Sequence, residues 1–567
     1  MNKLKNDITS QSIFSYNQWI YIRDLYLDWL SLFLDNKEKD SIFLWRGFNL
    51  LFVTLPAKKD IEVENEWFKR ICERINGHSK LTHVKLMPWY KFCMRFIFLF
   101  LYEYLKVILY KLYFSNSNLK LSSADIYFHS LSSNIQTAQF GTYDRHFCNA
   151  PMVDIKFESR AAYVVTLVPG LNDIKHFSKF ARDVKMKFSL LKRQVVLLNN
   201  YTSFSAINEV YFTVFHSWLM FRKEAKKVSF QKNFDIKEAS CADILISEIE
   251  KSYLGEIQWS LIYGLSFQKW IKMNRIQAPI ITYGETLSPM RPVYFLSKQE
   301  NNNIKFFSIQ HSINNRNKIG LFHRKNDFKT KHGHDLINFL ILPDYYLLQG
   351  SQSIELIKEF YPVSRTKIIG CLKYDDISIF NLKNNKKINS NLLKYKNNLS
   401  KKVLVVAPSV NDLSSLLALF TSSLFSNWQI VIRPHPANNI VQVEELVKQA
   451  GLFYKIEIIT NFSTNELFSI ADLVVCGYSA SCYEAIINNI PAVQFLNLHN
   501  MPLIEPDDDI PFFSKPKDFW DWFIKFDTMN LNFDIKNISE KILKKYFYKL
   551  DGKSAERLWE CLIENKH

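Results

Sequence analysis

Residues 472 to 496 read DLVVCGYSASCYEAIINNIPAVQFL, and this stretch decides the fold. The apolar run Leu473 to Cys476 predicts a buried strand, and Gly477 then predicts a tight turn. The segment CYEAIINN predicts a helix, after which Pro491 opens a second apolar run. A strand, a turn, a helix and a further strand form a β-α-β unit, which favours a parallel sheet covered by helices.

The same alternation occupies most of the chain. Earlier apolar runs that end in turn residues are ADIYFHSL, YVVTLVP, QVVLLNN, APIITYGE, KFFSIQHS, YYLLQGS and TKIIGCLKYD. A second series begins with KKVLVVAPS, WQIVIRPHP and IEIIT. Such runs are typical of parallel strands that are buried on both faces. We therefore predict an α/β fold with two doubly wound, Rossmann-like domains that face a cleft, with ligands at the carboxyl ends of the strands.

Composition divides the chain into four parts. Residues 381–402 are polar and rich in lysine and asparagine, which predicts a linker. This linker separates a first Rossmann-like domain, residues 119–380, from a second, residues 403–567. Residues 1–118 show helix-like spacing of apolar residues, and we predict a helical accessory region there.

One accessory segment, residues 86–114, is apolar enough to be compared with a membrane span. Charged residues interrupt it, and its longest uncharged run extends only from Phe96 to Tyr102. A spanning helix needs about 20 mostly apolar residues. Two interpretations remain: a helix of an accessory core, or an amphipathic helix on a membrane surface, which suits its Trp, Tyr, Phe and Lys residues.

The overall charge is positive, since 72 Lys and Arg less 55 Asp and Glu gives +17. That balance suits an anionic membrane, a polyanion or an anionic small molecule, but no nucleic-acid recognition motif accompanies it. A hydrophobic content of 47% excludes a disordered chain. The eight cysteines form no CxxC pair, and the first residues lack the apolar core of a secretory signal. We therefore expect a cytoplasmic, reduced protein without a structural metal.

The first group of residues that could bind a ligand or take part in a reaction is Arg433-Pro434-His435-Pro436, directly after an apolar strand. The prolines stiffen the turn, and a strand end places Arg433 and His435 at the edge of the cleft. Arginine gives charge-assisted hydrogen bonds to phosphate and histidine donates one more, so this loop predicts a phosphate site. The alternative is a rigid loop with a capping histidine.

The second constellation follows the strand that ends at Cys476. Gly477 allows the backbone to approach a ligand closely, and Ser479 or Ser481 can leave amides at a helix start for a phosphate. Glu484, in the first helical turn, is placed to reach ribose hydroxyls. The alternatives are simple N-capping by the serines and a favourable interaction of Glu484 with the helix dipole.

Together the two constellations resemble the nucleotide-binding half of GT-B glycosyltransferases. They are most similar to the bacterial surface-polysaccharide group, which includes sialyltransferases, Kdo transferases and CDP-glycerol polyol-phosphate transferases. His435-Pro436 and the pair Ser479 and Ser481 look like the HP and serine motifs that hold the CMP part of a donor in the sialyltransferases. The resemblance covers roughly residues 120 to 510.

Upstream, two further turns are similar to those of the same group. IIGCLKYD, residues 368–375, looks like its G-x-x-(R/K)-x-D turn, and there Lys373 would reach the donor phosphate. IQHS, residues 309–312, looks like its QHG turn with serine for glycine, so that His311 would bind the acceptor or the donor. Ser409, in VVAPS, occupies a similar strand end. Each of these residues is also explained by an ordinary cap, a packed turn or a solvated side chain.

A catalytic base is harder to place, because no good copy of the group's acidic motif occurs. Glu285 follows an apolar strand in PIITYGETLSP and is the best candidate; Asp144, beside Arg145 in TYDRHF, is the second. No DxD motif stands at a strand end, since Asp507 to Asp509 lie in a proline-flanked loop. We therefore expect no metal and no cofactor other than the donor.

The resemblance implies an inverting glycosyltransferase. The donor would be a CMP-activated nonulosonic acid or Kdo, bound by residues 403–567, and the acceptor a lipid-linked lipopolysaccharide or capsule glycan, bound by residues 119–380. The location would be the cytoplasmic face of the membrane. Two alternatives remain open: a CDP-polyol phosphotransferase, and a non-catalytic protein that binds nucleotide or glycan.

Overall fold

The computed structural model describes residues 83–114, 124–138, 141–148, 150–152, 159–191, 193–232, 239–283, 289–314, 341–375, 401–409, 412–435, 438–462, 464–496, 503–505, 507–528 and 534–565, with isolated positions at 44–45, 48–49, 70, 74, 235–236 and 392. Most of the predicted accessory region and linker, and Glu285, therefore lie outside the described residues.

Seven parallel strands form the first sheet. They are β1 Ile126–Leu131, β2 Ala161–Thr166, β3 Gln194–Leu197, β4 Ile280–Tyr283, β5 Phe306–Ile309, β6 Tyr345–Leu348 and β7 Thr366–Ile368. Their order across the sheet is β7-β6-β5-β4-β1-β2-β3. Every apolar run that predicted a strand before residue 381 contains one of them.

Six parallel strands form the second sheet. They are β8 Lys402–Ala407, β9 Trp428–Ile432, β10 Ile456–Ile458, β11 Leu473–Cys476, β12 Ala492–Phe495 and β13 Phe512–Phe513. Their order is β10-β9-β8-β11-β12-β13. The α/β fold with two doubly wound, Rossmann-like domains is confirmed, although the sequence did not predict the two-residue strand β13.

Sixteen α-helices belong to the part of the chain that the structure describes. They are α1 Trp89–Phe114, α2 Leu171–Lys175, α3 Phe177–Leu190, α4 Phe204–Glu224, α5 Val228–Gln231, α6 Ala242–Ser252, α7 Glu256–Asn274, α8 Met290–Glu300, α9 Ser351–Ile357, α10 Leu413–Leu417, α11 Ile440–Gln449, α12 Thr464–Phe468, α13 Ser481–Ile487, α14 Pro516–Thr528, α15 Ile535–Ile542 and α16 Ser554–Glu564. None of these helices is long and apolar enough to cross a membrane.

Both faces of the first sheet are buried, because successive side chains of a strand point to opposite faces. Tyr127 of β1 packs edge-on against Trp270 of α7, with ring centroids 5.1 Å apart. Its neighbour Phe128 lies on the other face, 6.2 Å from the ring of Trp559 in α16. This double burial explains why the strands are almost uninterrupted apolar runs.

The last helix, α16, belongs spatially to the first domain, although the sequence assigned residues 403–567 to the second. Its Leu558, Trp559 and Leu562 are buried in the core of the first sheet. The Trp559 indole donates to the carbonyl oxygen of Ala150 at 2.8 Å. The Asp375 carboxylate accepts from the first amides of the helix, at 2.9 and 2.7 Å. The last helix therefore packs on the first domain, because its apolar face is buried against the first sheet.

Candidate functional site

The site lies at the topological switch points of the two sheets. In the first sheet the chain builds β1 to β3 towards one edge and then β4 to β7 towards the other. In the second sheet the same reversal occurs between β8 and β11. Loops that leave the strands on either side of such a point diverge and open a crevice, where doubly wound proteins bind ligands. Ser409 and the loop of Gly477 follow the switch-point strands β8 and β11, whereas Arg433 and His311 follow the neighbouring strands β9 and β5.

Two histidines and a tyrosine line the wall contributed by the first domain. The ring of His146 stacks on Tyr283, the last residue of β4, with centroids 4.3 Å apart. His311, two residues after β5, lies edge-on to His146 at 5.5 Å. The Tyr283 hydroxyl accepts from the Asn134 amide. The sequence prediction missed His146 and Tyr283; their position at strand ends was the signal for finding them.

His146 is held as a neutral imidazole. Burial, with the neighbouring His311 and the positive charge of Arg145, lowers the pKa of His146 to about 2. Its Nε2 accepts a hydrogen bond from Nε of Arg145 at 3.1 Å. A group with so low a pKa is a poor proton acceptor at neutral pH. We infer that His146 orients Arg145, which is exposed to solvent in the cleft.

Asp144 builds the turn that carries these residues. Its side chain is fully buried. One oxygen accepts from the backbone amides of His146 and Phe147 at 2.7 and 3.0 Å, and the other from the Ser130 hydroxyl. Three donors therefore hold a carboxylate that has no exposed surface. This arrangement suits a positioning residue better than the proton acceptor that its sequence context predicted.

Gln310 fixes the backbone on which His311 stands. Its amide nitrogen donates to the Ser312 carbonyl oxygen at 2.8 Å. Its amide oxygen accepts from the Gln349 backbone at 3.0 Å and from the Ser353 hydroxyl at 2.8 Å. The glutamine of the predicted turn is thus a buried brace between β5 and β6, and it orients the histidine beside it.

Arg433 and His435 lie directly after β9, the strand end at which the sequence placed them. We assign them to the opposite wall of the cleft. Nη1 of Arg433 donates to the Pro434 carbonyl oxygen at 2.9 Å. Nε of Arg433 is buried without a hydrogen-bond partner among the described residues. Burial, and then the charges of Arg145 and Arg433, lower the pKa of His435. Arg145 of the first domain is thus one of the charges that act on His435 of the second.

Asp412 joins the two loops of the second switch point, and the sequence prediction did not single it out. Its Oδ1 accepts from the Ser409 backbone after β8 at 2.7 Å. Its Oδ2 accepts from the Tyr478 backbone after β11 at 2.6 Å. The sequence predicted that Gly477 lets the backbone approach a ligand closely. In the structure the Asp412 carboxylate occupies that position, and a Cβ added to Gly477 would lie 1.8 Å from its Oδ2.

We expect Gly477→Ala to displace the loop after β11, since the new methyl group would overlap the buried Asp412 carboxylate. The free energy of unfolding should fall by about 1–3 kcal/mol. Gly170→Ala is the matched control, because its Cβ would meet only ordinary contact at 3.6 Å. Chemical denaturation of both variants measures the difference, and equal stability would contradict the role assigned to Asp412.

The two predicted serines lie at the start of α13. The Ser479 hydroxyl donates to the Ser481 hydroxyl at 3.0 Å and accepts from its amide at 3.2 Å. The Ser481 amide is therefore already bonded to a side chain, although the N-cap residue, Ala480, supplies no side-chain cap. The helix has seven residues, so its dipole is weak and a phosphate there would depend on direct contacts.

Lys373 and Glu484, whose roles were predicted separately, are partners. Nζ of Lys373 donates to Oε1 of Glu484 at 2.7 Å, and the Tyr374 hydroxyl donates to the same oxygen. Burial opposes the charge of Glu484, but the lysine and both hydrogen bonds lower its pKa. The pair ties the turn after β7 to α13, and Lys373 keeps 54% of its side chain exposed to solvent.

The acidic and imidazole side chains of the described residues do not assemble into a metal centre. Across the described ranges, no three His, Cys, Asp or Glu side chains are grouped in a way that could hold a metal ion. Asp508, in the acidic run, is fully buried and accepts from the hydroxyls of Tyr483 and Tyr546 at 2.7 and 2.8 Å. Its carboxylate is a structural hydrogen-bond acceptor.

Comparison with known proteins gives distant structural likenesses. No protein-family model matches the chain, and no curated protein matches it in sequence. A UDP-GlcNAc 2-epimerase from Neisseria meningitidis, bound to UDP-GlcNAc, is similar over 78% of this chain and 99% of its own, at 10% identity and a TM-score of 0.42. The wall teichoic acid polymerase TagF is similar over 84% of this chain and 98% of its own, at 12% identity and a TM-score of 0.38. These values assign no function, and the fold stands on the two sheet topologies.

Proposed function

We propose that this chain is an inverting glycosyltransferase that transfers a sugar from a CMP-activated donor, a nonulosonic acid or Kdo, to a lipid-linked surface glycan. The observation that carries the proposal is the set of positive and imidazole side chains at the carboxyl edges of both sheets. Arg433 and His435 stand on one wall, with Arg145 and His311 on the other. A cleft of this composition suits an anionic donor and a hydroxyl acceptor.

On the donor wall, Arg433 and His435 would bind the phosphate of the nucleotide. Burial and the charge of Arg145 lower the pKa of His435 before a ligand binds, and a bound phosphate would raise it and draw a proton to the imidazole. The brace at Asp412 holds the loops after β8 and β11 in place before the ligand arrives. Positioned positive charge of this kind stabilises a leaving phosphate without reorganisation in the transition state.

On the acceptor wall, a base takes the proton of the acceptor hydroxyl. The oxygen then bonds to the anomeric carbon while the bond from that carbon to the donor phosphate breaks on the opposite face. His311 stands at this wall, held by Gln310. Glu285 stays a predicted base outside the described residues. Asp144 would support the reaction indirectly, by shaping the turn of Arg145 and His146.

A second candidate is transfer of a polyol phosphate from a CDP-polyol. The proximity of Arg145 to His435 favours it, because positive side chains then stand on both walls. In that reaction the acceptor oxygen would attack the β-phosphorus and CMP would leave. Charge develops on the transferred phosphoryl group, which cations from two sides stabilise.

A thermal-shift panel of purified protein with CMP, CDP, UMP, UDP, GDP and ADP tests the proposal. A nucleotide at about 100 times its Kd should stabilise the folded chain by about 2.7 kcal/mol. We expect a selective response to CMP, followed by turnover of a CMP-sugar in the presence of EDTA. A response to CDP alone would favour polyol-phosphate transfer. Binding without turnover of any donor would contradict both and favour a non-catalytic binding protein.

A further inference from the structure

Helix α1 has apolar side chains on two opposite faces. The inner face is buried: Phe92, for example, stacks on Trp218 of α4 with ring centroids 3.6 Å apart. On the outer face, six large apolar side chains are 43% to 70% exposed, and they are Met94, Phe98, Leu101, Leu105, Ile108 and Leu112. These residues are spaced by three and four positions, so they form one continuous stripe along the helix.

Segments that contact α1 carry further exposed apolar side chains. Phe212 of α4 is 78% exposed, and its helix packs on α1 through the rings of Tyr211 and Phe100. Leu171, the first residue of α2, follows the loop after β2 and is 65% exposed. That loop is joined to α1 by the Tyr102 hydroxyl, which donates to the Pro169 carbonyl oxygen at 3.4 Å. We call the six α1 residues with Phe212 and Leu171 the outer apolar surface.

The charges that α1 itself contributes beside this surface are mainly positive. Lys91, Arg95 and Lys111 of α1 are exposed. The one acidic residue of the helix, Glu103, is paired with Lys106 at 2.5 Å. Four basic residues less one acidic residue leave the helix with a net charge of +3. Basic side chains beside exposed apolar and aromatic ones match the headgroup region of an anionic bilayer.

We propose that the outer apolar surface lies in the interface of a bilayer that carries anionic lipids. A second copy of the chain fits less well, although the spacing of the stripe is compatible with a coiled coil. Coiled-coil seams are narrow and flanked by residues of opposite charge. Here Ile97, 54% exposed, widens the stripe, and the flanking Arg95 and Lys111 would face like charges.

This placement has a consequence for the reaction, which rests on the proposed function. The loop after β2 belongs to the carboxyl edge of the first sheet, as do His146 and His311. A helix of 26 residues is about 39 Å long. Lying flat in the headgroup region, it would hold the acceptor wall beside the membrane. A lipid-linked acceptor would then reach the cleft without leaving the bilayer.

The test is co-sedimentation of the full chain with vesicles of phosphatidylglycerol and phosphatidylcholine. We expect the unmodified chain to sediment, and Phe98→Glu with Leu101→Glu to weaken partitioning by on the order of 100-fold. The matched control is Met273→Glu with Tyr454→Glu, since both side chains are exposed but lie on α7 and after α11. Replacing Lys91, Arg95 and Lys111 by glutamine should weaken binding to these vesicles and remove its dependence on salt.

Equal sedimentation of the Phe98 and Leu101 variant would overturn the proposal. An unmodified chain that stays in solution would overturn it too, and a dimer that this variant converts to monomer would then identify a second copy as the occupant. Thermal shift with nucleotide is measured on each variant without vesicles. Absence of that response in the unmodified chain would count against the proposed function. A variant that keeps the response and loses only sedimentation supports the bilayer surface, and one that keeps both contradicts it, so that the two failures are distinguishable.

Discussion

His435→Asn is expected to lower turnover by about 10²- to 10⁴-fold, which is the usual effect of removing a group that stabilises charge or transfers a proton. His435 stands at the end of β9, where the charge of Arg145 from the other domain reaches it. Asparagine keeps a donor of similar size but carries no positive charge. His216→Asn, on the exposed face of α4, is the matched control and should retain full activity.

The same variant should change how nucleotide affinity depends on pH. In the protein without bound nucleotide, burial and the charges of Arg145 and Arg433 hold the pKa of His435 below its ordinary value of 6.5. A bound phosphate favours the imidazolium and raises that pKa, so binding takes up a proton between the two values. Affinity should therefore rise as pH falls through that window, and the rise should be absent in His435→Asn. Titration calorimetry at several pH values measures it, and an unchanged pH dependence would refute the role.

Asp508→Ala is expected to reduce the free energy of unfolding by about 3–5 kcal/mol, because it removes the buried partner of Lys545 and leaves that partly buried charge with only the exposed Asp507. The carboxylate is fully buried. It accepts from Nζ of Lys545 at 2.6 Å, from the Glu505 amide at 2.9 Å, and from the hydroxyls of Tyr483 and Tyr546. Removing it would also take this acceptor from the buried Tyr546 hydroxyl, whereas the Tyr483 hydroxyl keeps the Leu503 carbonyl oxygen at 3.2 Å.

Asp507→Ala is the control within the same acidic run. Its side chain is 56% exposed, and it shares Lys545 at 2.9 Å. A surface pair of this kind contributes less than about 1 kcal/mol. Urea denaturation of the two variants compares them directly. Equal stability of the two variants would show that the buried hydrogen bonds of Asp508 do not stabilise the acidic run at residues 507–509.

The strands were predictable because their signal is local. Each is an apolar run of a few residues, buried on both faces and ended by turn residues, and no distant contact is needed to recognise it. For the same reason the order of residues along the chain was enough to place Arg433, His435, Gly477 and His311 at strand ends. The helix within residues 86–114 was also predicted from their spacing, but not that its apolar side chains occupy two opposite faces.

Contacts between residues far apart in the chain were not predictable in this way. Gly477 is needed because Asp412, 65 residues earlier, places its carboxylate against the turn. The Asp375 carboxylate caps α16 and helps to hold it on the first domain. This contact could not be predicted from local sequence, because 179 residues separate Asp375 from Ser554. Asp144 and Glu484 carry carboxylates of the expected kind, but burial and their partners decide what those carboxylates do. Local sequence therefore determined the strands and the motifs at their ends, whereas tertiary packing selected which polar groups are left to meet a ligand.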